Sequence, residues 1–156
     1  MTREEMGADD VNLEPAGAPD LEAVVRLLSA NHLPVADLES RIDAFLLAKR
    51  DGIVVGTVGL EIYGELALLR SLCVAEGHRS KRIGGALISA VASRALAQGV
   101  RELYLLTTGA APYFAKRGFV QINRDQTPLE IRNTAQFSAL CPASAICMRR
   151  RSGLGL

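Results

Sequence analysis

The stretch from Glu65 to Gly99 reads ELALLRSLCV (65–74), AEGHRSKRIGGA (75–86) and LISAVASRALAQG (87–99). The first segment is apolar almost without alternation, which predicts a strand that is covered on both faces. The last segment ends at Gly99 and repeats apolar residues at helical spacing, which predicts a helix. Its apolar stripe comprises Leu87, Ile88, Val91, Ala92, Ala95 and Leu96. The sequence therefore predicts a strand, a turn and a helix in direct succession.

The turn between this strand and this helix is basic and contains glycines. The N–H groups of a first helical turn have no intrahelical partner, and the helix dipole adds partial positive charge there. The same turn contains His78, Arg79, Lys81 and Arg82. A diphosphate or polyphosphate is therefore the favoured ligand. The alternative is a basic surface turn before a core helix, and the turn alone supports both interpretations equally.

The bulk composition predicts one globular domain in a chain of 156 residues. A net charge of +1 gives no general attraction to nucleic acid or to an anionic membrane, so neither is expected as a partner. No apolar run reaches the roughly 20 residues that a membrane span needs, and the first residues lack the order of a signal peptide. We expect a cytoplasmic protein with a disordered terminus at 1–10, one domain at 11–150 and a flexible tail at 151–156, with fraying from Arg149 onward.

The three cysteines are Cys73, Cys141 and Cys147. Their odd number and irregular spacing are typical of free thiols in a reducing compartment. No histidine lies near the later pair, which disfavours a zinc site. We therefore expect small buried residues and no metal, with a trivalent metalloid on the three thiolates as the less favoured alternative.

The remaining sequence predicts further short strands and helices around the central segment. A hairpin signal at Arg50-Asp51-Gly52 joins two of the strands. The predicted strands are 11–16, 44–49, 53–62, 102–107, 119–123 and 143–148, and the predicted helices are 19–31, a short turn at 37–40, a piece from 109 to Gly118, and two pieces within 128–139.

The segment Arg79-Ser80-Lys81-Arg82-Ile83-Gly84-Gly85-Ala86 resembles the R/Q-x-x-G-x-G/A signature of the GNAT superfamily of acetyl-CoA-dependent N-acetyltransferases. The later Arg117-Gly118-Phe119 element, after a short aromatic helix, is similar to the second recurrent feature of that family. The resemblance covers roughly residues 11–150. It implies an α/β fold with a central mixed, twisted sheet of about seven strands, flanked by helices and splayed between two parallel strands.

The resemblance also implies where acetyl-CoA binds. Residues 79–86 would hold the pyrophosphate, and the backbone of Leu72, Cys73 and Val74 would pair with pantetheine between the strands at 66–74 and 103–107. A backbone N–H near Leu72 would stabilise the thioester oxyanion. Arg82 stands where the family usually has its first glycine. Its Cβ would obstruct the phosphate, or its guanidinium would bind it.

Many members of the family use a tyrosine, four residues before the Gly of the Gly-Phe pair, to protonate the departing thiolate. That position is Phe114 here, which we expect to contact the coenzyme, and Tyr113 lies one place earlier. One residue turns a helical side chain by about 100°. Tyr113 is therefore either the proton donor or a wall of the acceptor pocket. No general base is identified, because Glu61 and Glu65 are interpreted as solvated residues at strand ends.

Arg70 lies in a strand that is otherwise apolar, where an unpaired charge is costly. It therefore has a carboxylate partner, reaches solvent or lines the cleft, where it would bind an anionic group of the acceptor. The alternative is a salt bridge with Glu61 or Glu65. The other candidate acceptor residues are Ser71 and the strand-end pair Thr107 and Thr108, which would otherwise cap the next helix.

Three tracts carry a finer resemblance: LYLLTTGAAPYFAKRGF (103–119), NRDQTPLEIRNTAQF (123–137) and LCPASAICM (140–148). They look like the small arsenic-resistance N-acetyltransferases and, more distantly, the acetyltransferase domain of N-acetylglutamate synthase. This implies acetylation of a small-molecule amine, an organoarsenical or amino-acid-like toxin, in detoxification. The alternatives are a glutamate or amino-acid acetyltransferase, a protein acetyltransferase, and a weakly active acetyl-CoA-binding module. A homodimer is an open option.

Overall fold

The computed structural model describes residues 11–79, 82–141 and 143–151. The strands within these residues are β1 (Asn12–Pro15), β2 (Phe45–Arg50), β3 (Ile53–Tyr63), β4 (Leu66–Val74), β5 (Glu102–Thr107), β6 (Val120–Ile122) and β7 (Ile146–Arg151). They form one seven-stranded sheet in the order β1-β2-β3-β4-β5-β7-β6. The pair β4–β5 is parallel, whereas β5–β7 and β6–β7 are antiparallel. The mixed α/β sheet expected from the sequence is confirmed.

The helices are α1 (Leu21–Ala30), α2 (Leu38–Arg41), α3 (Ile83–Ala97), α4 (Ala111–Ala115) and α5 (Leu129–Arg132). A π-helical turn at Gln136–Leu140 follows α5, so the two short helical pieces expected at 128–139 are present. Within the described ranges, no helix combines the length and the apolar character needed to cross a membrane.

The chain divides into two compact units. The first contains the described residues up to Gly59 together with Ser71–Val91, and the second contains Leu60–Arg70 and the described residues from Ala92 onward.

In the first unit, β2 and β3 form a hairpin across the two residues Asp51 and Gly52. Both have positive φ, 52° and 79°, as a two-residue turn of type I′ requires, and Asp-Gly is a favoured pair for it. The core of this unit lies where α1 covers the strands. It contains Ala16, Val24, Leu28, Leu38, Phe45, Leu47 and Cys73.

Helix α3 begins close to the backbone of β3 at Gly56. A Cβ built on Gly56 would lie 3.0 Å from both Ile83 Cγ2 and Leu87 Cδ1, and 3.3 Å from Ala48 Cβ. These distances are shorter than ordinary van der Waals contacts. The absence of a side chain at Gly56 therefore sets how closely the first turn of α3 packs.

In the second unit, the parallel ladder of β4 and β5 comprises three pairs, from Leu66↔Glu102 to Leu68↔Tyr104. Strand β5 continues to Thr107 while it remains paired with β7. The two parallel strands are thus joined at their amino-terminal ends and splayed beyond them, as expected. The core on one face of this unit contains Leu68, Tyr104, Ile131, Phe137 and Cys147.

Two expectations about chain segments are wrong. The closing strand runs over Ile146–Arg151 rather than 143–148, so Arg149–Arg151 are paired strand residues and not a frayed tail. Backbone pairing with β5 satisfies their amides whatever charge the side chains carry. The termini at 1–10 and 152–156 lie outside the described residues.

The predicted apolar stripe of α3 is correct except at its last member. Leu96 is 54% exposed, because it lies at the outer edge of the stripe, about 40° beyond Ala92 around the helix.

We predict that Gly56→Ala lowers the free energy of unfolding by about 1–3 kcal/mol, because the added methyl group overpacks the contact with α3. The matched control is Gly109→Ala, since nothing lies within 4 Å of a Cβ at Gly109. That change is expected to shift stability by less than about 0.5 kcal/mol. Urea unfolding of both variants is the measurement. Equal effects of the two substitutions would contradict the close packing at Gly56.

Candidate active site

Strand β4 is distorted at Ser71, one of the candidate acceptor-binding residues. Ser71 has φ of 57°, although it is not glycine and lies within a strand. Its carbonyl accepts a hydrogen bond of 2.8 Å from Oγ1 of the fully buried Thr57. A left-handed residue of this kind costs about 1–3 kcal/mol and persists where the surroundings fix it. The bond from Thr57 is one such restraint.

The three residues after Ser71 were expected to face pantetheine through their backbone. Leu72 and Val74 are half-buried, and Cys73 is buried in the core of the first unit. Burial raises the pKa of the Cys73 thiol, and the nearby positive charge of Arg79 opposes this effect. Cys73 is therefore a neutral packing residue at pH 7. Its proposed contribution to coenzyme binding is confined to its backbone.

Arg79 ties the basic turn to the rest of the first unit. Its Nε donates to the Val74 carbonyl at 2.9 Å, and its Nη2 donates to Oδ1 of Asn31. Asn31 is the C-cap of α1, and its own Nδ2 donates to the Leu27 carbonyl at 2.9 Å. The Arg79 side chain thus holds the turn against the end of β4. Direct binding of phosphate by Arg79 stays a prediction.

Arg82 adopts a left-handed backbone conformation, which favours glycine. Its φ is 63°, and its side chain is exposed. The residue immediately precedes α3, whose first member, Ile83, is buried. Gly84 and Gly85 are half-buried and Ala86 is exposed on the first turn. Ser80 and Lys81, which the sequence analysis also assigned to this site, lie outside the described residues.

In the second unit, Arg70 and Glu61 form a buried ion pair. Arg70 Nη1 lies 2.9 Å from Glu61 Oε2, and the two side chains are 0% and 3% exposed. The other carboxylate oxygen of Glu61 accepts a bond of 2.5 Å from the Tyr63 hydroxyl. The salt bridge considered for Arg70 is therefore present, and the interpretation of Glu61 as a solvated residue is wrong. Glu65 is exposed, as expected.

The buried pair has a physical reason. A guanidinium in a strand that is covered on both faces needs a carboxylate within reach, because leaving the charge unpaired costs several kcal/mol. Glu61 lies in an apolar run of β3 just as Arg70 does in β4. Two opposite charges, each inside an apolar strand and on either side of a short turn, were the signal in the sequence for this pair.

Thr107 is the last residue of β5, and Thr108 comes directly after the strand, as predicted. Thr107 Oγ1 accepts a bond of 3.0 Å from the backbone N–H of Ala110, which is the N-cap residue of α4. This bond lies in the turn before the helix, and no side chain caps the first turn of α4, so the expected capping role is not observed. Thr108 is exposed. Binding of an acceptor by either threonine stays a prediction.

The two aromatic residues of α4 have different surroundings. Phe114 is buried, in edge-to-face contact with Tyr113 and Phe119 at centroid distances of 5.4 and 5.7 Å. Tyr113 is half-buried beneath Arg117, whose guanidinium lies 3.7 Å from the ring centroid and donates to the Tyr113 carbonyl at 3.1 Å. Burial raises the pKa of Tyr113, and the charge of Arg117 opposes this effect. The Tyr113 hydroxyl is thus protonated at neutral pH, as a proton donor must be. A coenzyme contact by Phe114 stays a prediction.

Sequence reasoning missed three residues that shape these surroundings. Thr57 donates a hydrogen bond to the distorted part of β4, Asn31 accepts one from Arg79, and Tyr63 donates one to Glu61. Only Thr57 carried a signal, since a hydroxyl inside the apolar run of β3 needs a partner. Asn31 lies 48 residues before Arg79 in the sequence, and the bond between Tyr63 and Glu61 depends on the direction of both side chains. Neither contact can be read from local sequence.

Comparison with known proteins gives one family model, described as an acetyltransferase (GNAT) domain, which matches residues 41–121. An amino-acid acetyltransferase of Aeromonas salmonicida is 36% identical over 95 residues, which are 60% of this chain and 22% of that protein. One from Actinobacillus pleuropneumoniae is 35% identical over 97 residues, 61% of this chain and 22% of that protein. The chain thus matches about a fifth of the length of these relatives.

Solved structures extend the fold comparison beyond the matched segment. N-acetylglutamate synthase from Neisseria gonorrhoeae, complexed with coenzyme A and N-acetyl-glutamate, superposes with a TM-score of 0.79 at 21% identity, over 91% of this chain and 35% of that one. Rv2747 from Mycobacterium tuberculosis, in complex with CoA and NLQ, gives 0.76 at 20% identity, over 90% and 98%. At 20% and 21% identity, these superpositions show a shared fold and nothing further.

We predict that Glu61→Gln lowers the free energy of unfolding by about 3–5 kcal/mol, because it removes the negative charge that faces the buried Arg70 guanidinium. Tyr63→Phe removes one hydrogen bond and is expected to cost about 1 kcal/mol. The control is Glu65→Gln at the exposed neighbouring carboxylate, with an expected change below about 0.5 kcal/mol. Chemical unfolding compares the three variants. An effect of Glu61→Gln no larger than that of the control would show that the ion pair does not form in solution.

Proposed function

Because the chain belongs to the acetyltransferase (GNAT) domain family, we propose that it transfers an acetyl group from acetyl-CoA to the amine of a small amino-acid-like molecule. The observation that carries the proposal is the left-handed backbone of Arg82 directly before α3, within the matched range. A residue with a side chain pays a strain cost to keep a conformation that suits glycine. That cost is understandable if the backbone at this point must face a phosphate.

The coenzyme-binding part of the proposal lies in the first unit. The amides at the start of α3 would hold the pyrophosphate, with the exposed Arg82 guanidinium as an additional donor. The backbone of Leu72 and Cys73 would pair with pantetheine. The Val74 carbonyl already accepts the bond from Arg79, which leaves one lone pair for the coenzyme. These groups fit an extended, amide-containing and polyanionic molecule.

The chemistry requires a neutral amine, whose nitrogen attacks the thioester carbonyl while the carbon–sulfur bond breaks. With an amine pKa near 10, only about one molecule in a thousand is neutral at pH 7, so a base or a water relay accelerates the reaction. The Leu72 N–H would stabilise the oxyanion. The protonated Tyr113 would donate to the thiolate, which can also leave unaided because its pKa is near 8.5.

The proposed acceptor is an amine that also carries an anionic group. The amino-acid acetyltransferases matched by sequence point to an amino acid such as glutamate. The finer resemblance of 103–148 points instead to an organoarsenical or an amino-acid-like toxin. In both cases an anion accompanies the amine, and Arg70, held by Glu61, is the proposed anchor for it. Ser71, Thr107 and Thr108 are the proposed neutral contacts.

A competing function is that of an acetyl-CoA-binding module with weak activity. Arg82 and Phe114 are its basis, since both depart from the family pattern. Isothermal titration with acetyl-CoA, run beside a thiol-release assay over amino acids and aminated arsenicals, separates the two functions. Micromolar binding without thiol release on any amine would overturn the proposed transferase activity and leave coenzyme binding intact.

We predict that Arg82→Ala weakens coenzyme A binding by about tenfold and makes it less sensitive to salt, because one charge-assisted hydrogen bond to phosphate is lost. Arg82→Ala retains the Cβ, whereas Arg82→Gly removes both the Cβ and the guanidinium. Equal weakening in both variants assigns the effect to the guanidinium. Tighter binding in Arg82→Gly alone would show instead that the Cβ obstructs the phosphate.

We predict that Arg70→Lys raises the acceptor KM about tenfold or more for L-glutamate, since lysine keeps the charge next to Glu61 but loses the planar fork. The affinity for acetyl-CoA should be unchanged. The matched control substrate is the diamide of glutamate, which lacks both carboxylates and whose KM should respond little. Equal loss of activity towards both acceptors, together with a lower melting temperature, would mark Arg70 as a structural residue only.

A further inference from the structure

A pocket lies in the second unit at the amino-terminal ends of β4 and β5. Its volume is about 620 Å³, and it is lined by Glu65, Leu66, Leu96, Val100, Arg101, Glu102 and Arg151. Small-molecule sites typically occupy about 300–1,000 Å³. The proposed acetyl transfer uses the opposite, carboxyl-terminal ends of the same strands. The pocket therefore lies at the other end of β4 and β5 from the residues assigned to that reaction.

The lining combines an apolar floor with charges of both signs. Leu66 and Leu96 supply the floor, with the buried Val100 beneath, and Leu96 remains 54% exposed on the surface of α3. The lining also includes two acidic residues, Glu65 and Glu102, and two arginines, Arg101 and Arg151. A small zwitterion with an aliphatic side chain matches this lining. Its ammonium would pair with the glutamates, its carboxylate with the arginines, and its side chain would cover the leucines.

The sheet register fixes three of these side chains in a row. Glu102 pairs with Leu66 across the parallel ladder and with Arg151 across the antiparallel ladder. Directly opposed residues project from the same face, about 5 Å apart. An ammonium at Glu102 and a carboxylate at Arg151 can therefore belong to one small molecule. The apolar group of that molecule would then lie towards Leu66.

The charged groups of the pocket are available to a ligand. Glu102 uses Oε1 to accept a bond of 2.8 Å from the Tyr104 hydroxyl, and its carboxylate has further acceptor capacity. Among the described residues, no ion pair within 4.0 Å connects Arg101 or Arg151 to an acidic side chain. The Arg101 backbone N–H donates to the Glu65 carbonyl at 2.7 Å. That bond fixes the position of Arg101 without using its guanidinium.

We propose that this pocket binds an aliphatic α-amino acid, with its carboxylate on Arg101 and Arg151, its ammonium on Glu65 and Glu102, and its side chain on Leu66 and Leu96. The inference does not rest on the proposed acetyltransferase function. A bound amino acid would connect β4, β5 and β7 at the end where the parallel strands are paired. It would thereby stabilise the second unit.

The test is an NMR chemical-shift titration of the full chain with L-leucine and three analogues that each lack one feature. The analogues are 4-methylpentanoate without the ammonium, 3-methylbutylamine without the carboxylate, and glycine without the apolar group. L-Leucine should bind saturably, and each analogue should bind about tenfold or more weakly. No saturable shift up to the solubility limit of leucine would overturn the proposal.

Matched variants locate the binding. Leu96→Ala should weaken leucine binding severalfold, whereas Leu129→Ala, at a leucine that is 60% exposed elsewhere in the same unit, should not. Arg101→Gln should weaken it about tenfold, whereas Arg94→Gln, at an exposed arginine of α3, should not. Leucine binding that survives both pocket substitutions would overturn the proposal, as would binding that responds only to Arg70→Lys, which would indicate the acceptor site.

Discussion

The structure depends on where the parallel pairing of β4 and β5 stops. Three residue pairs join the strands from Leu66↔Glu102 to Leu68↔Tyr104, and β7 continues alongside β5 after the parallel ladder has ended. A strand that loses its neighbour retains backbone groups that need partners. The proposed use of those groups is to bind the amide-containing arm of a coenzyme. The end of the ladder is thus the constraint from which the proposed function follows.

Arg70, the second residue after the part of β4 that pairs with β5, carries a buried charge. Arg70 and Glu61 are almost fully covered, and Tyr63 takes the remaining carboxylate oxygen. A buried ion pair rarely adds stability relative to apolar residues of the same shape, and its known advantage in some proteins is to specify one arrangement. Here the pair restrains a guanidinium next to the distorted Ser71. This restraint is the reason to consider Arg70 for the recognition of an anionic acceptor.

Two left-handed residues mark the ends of the segment that we propose to bind the coenzyme. Ser71 and Arg82 both have positive φ, 57° and 63°, without being glycine. Backbone strain at a left-handed residue persists where the surrounding structure imposes it, and such residues cluster at functional sites. The bond from Thr57 explains part of the first case. For Arg82, which directly precedes α3, the proposed reason is that the backbone at this point faces a phosphate.

The sequence alone determined the order and type of most elements, because their signals are local. The apolar run of β4, the helical stripe of α3 and the Asp51-Gly52 turn each depend on residues that are close in the chain. The family signature at 79–86 was equally local. Only the tertiary structure decided the burial of Glu61, the partner of Arg79, the extension of β7 to Arg151 and the exposure of Leu96. These depend on which strands and helices meet, and the contacts that settle them join residues distant in sequence.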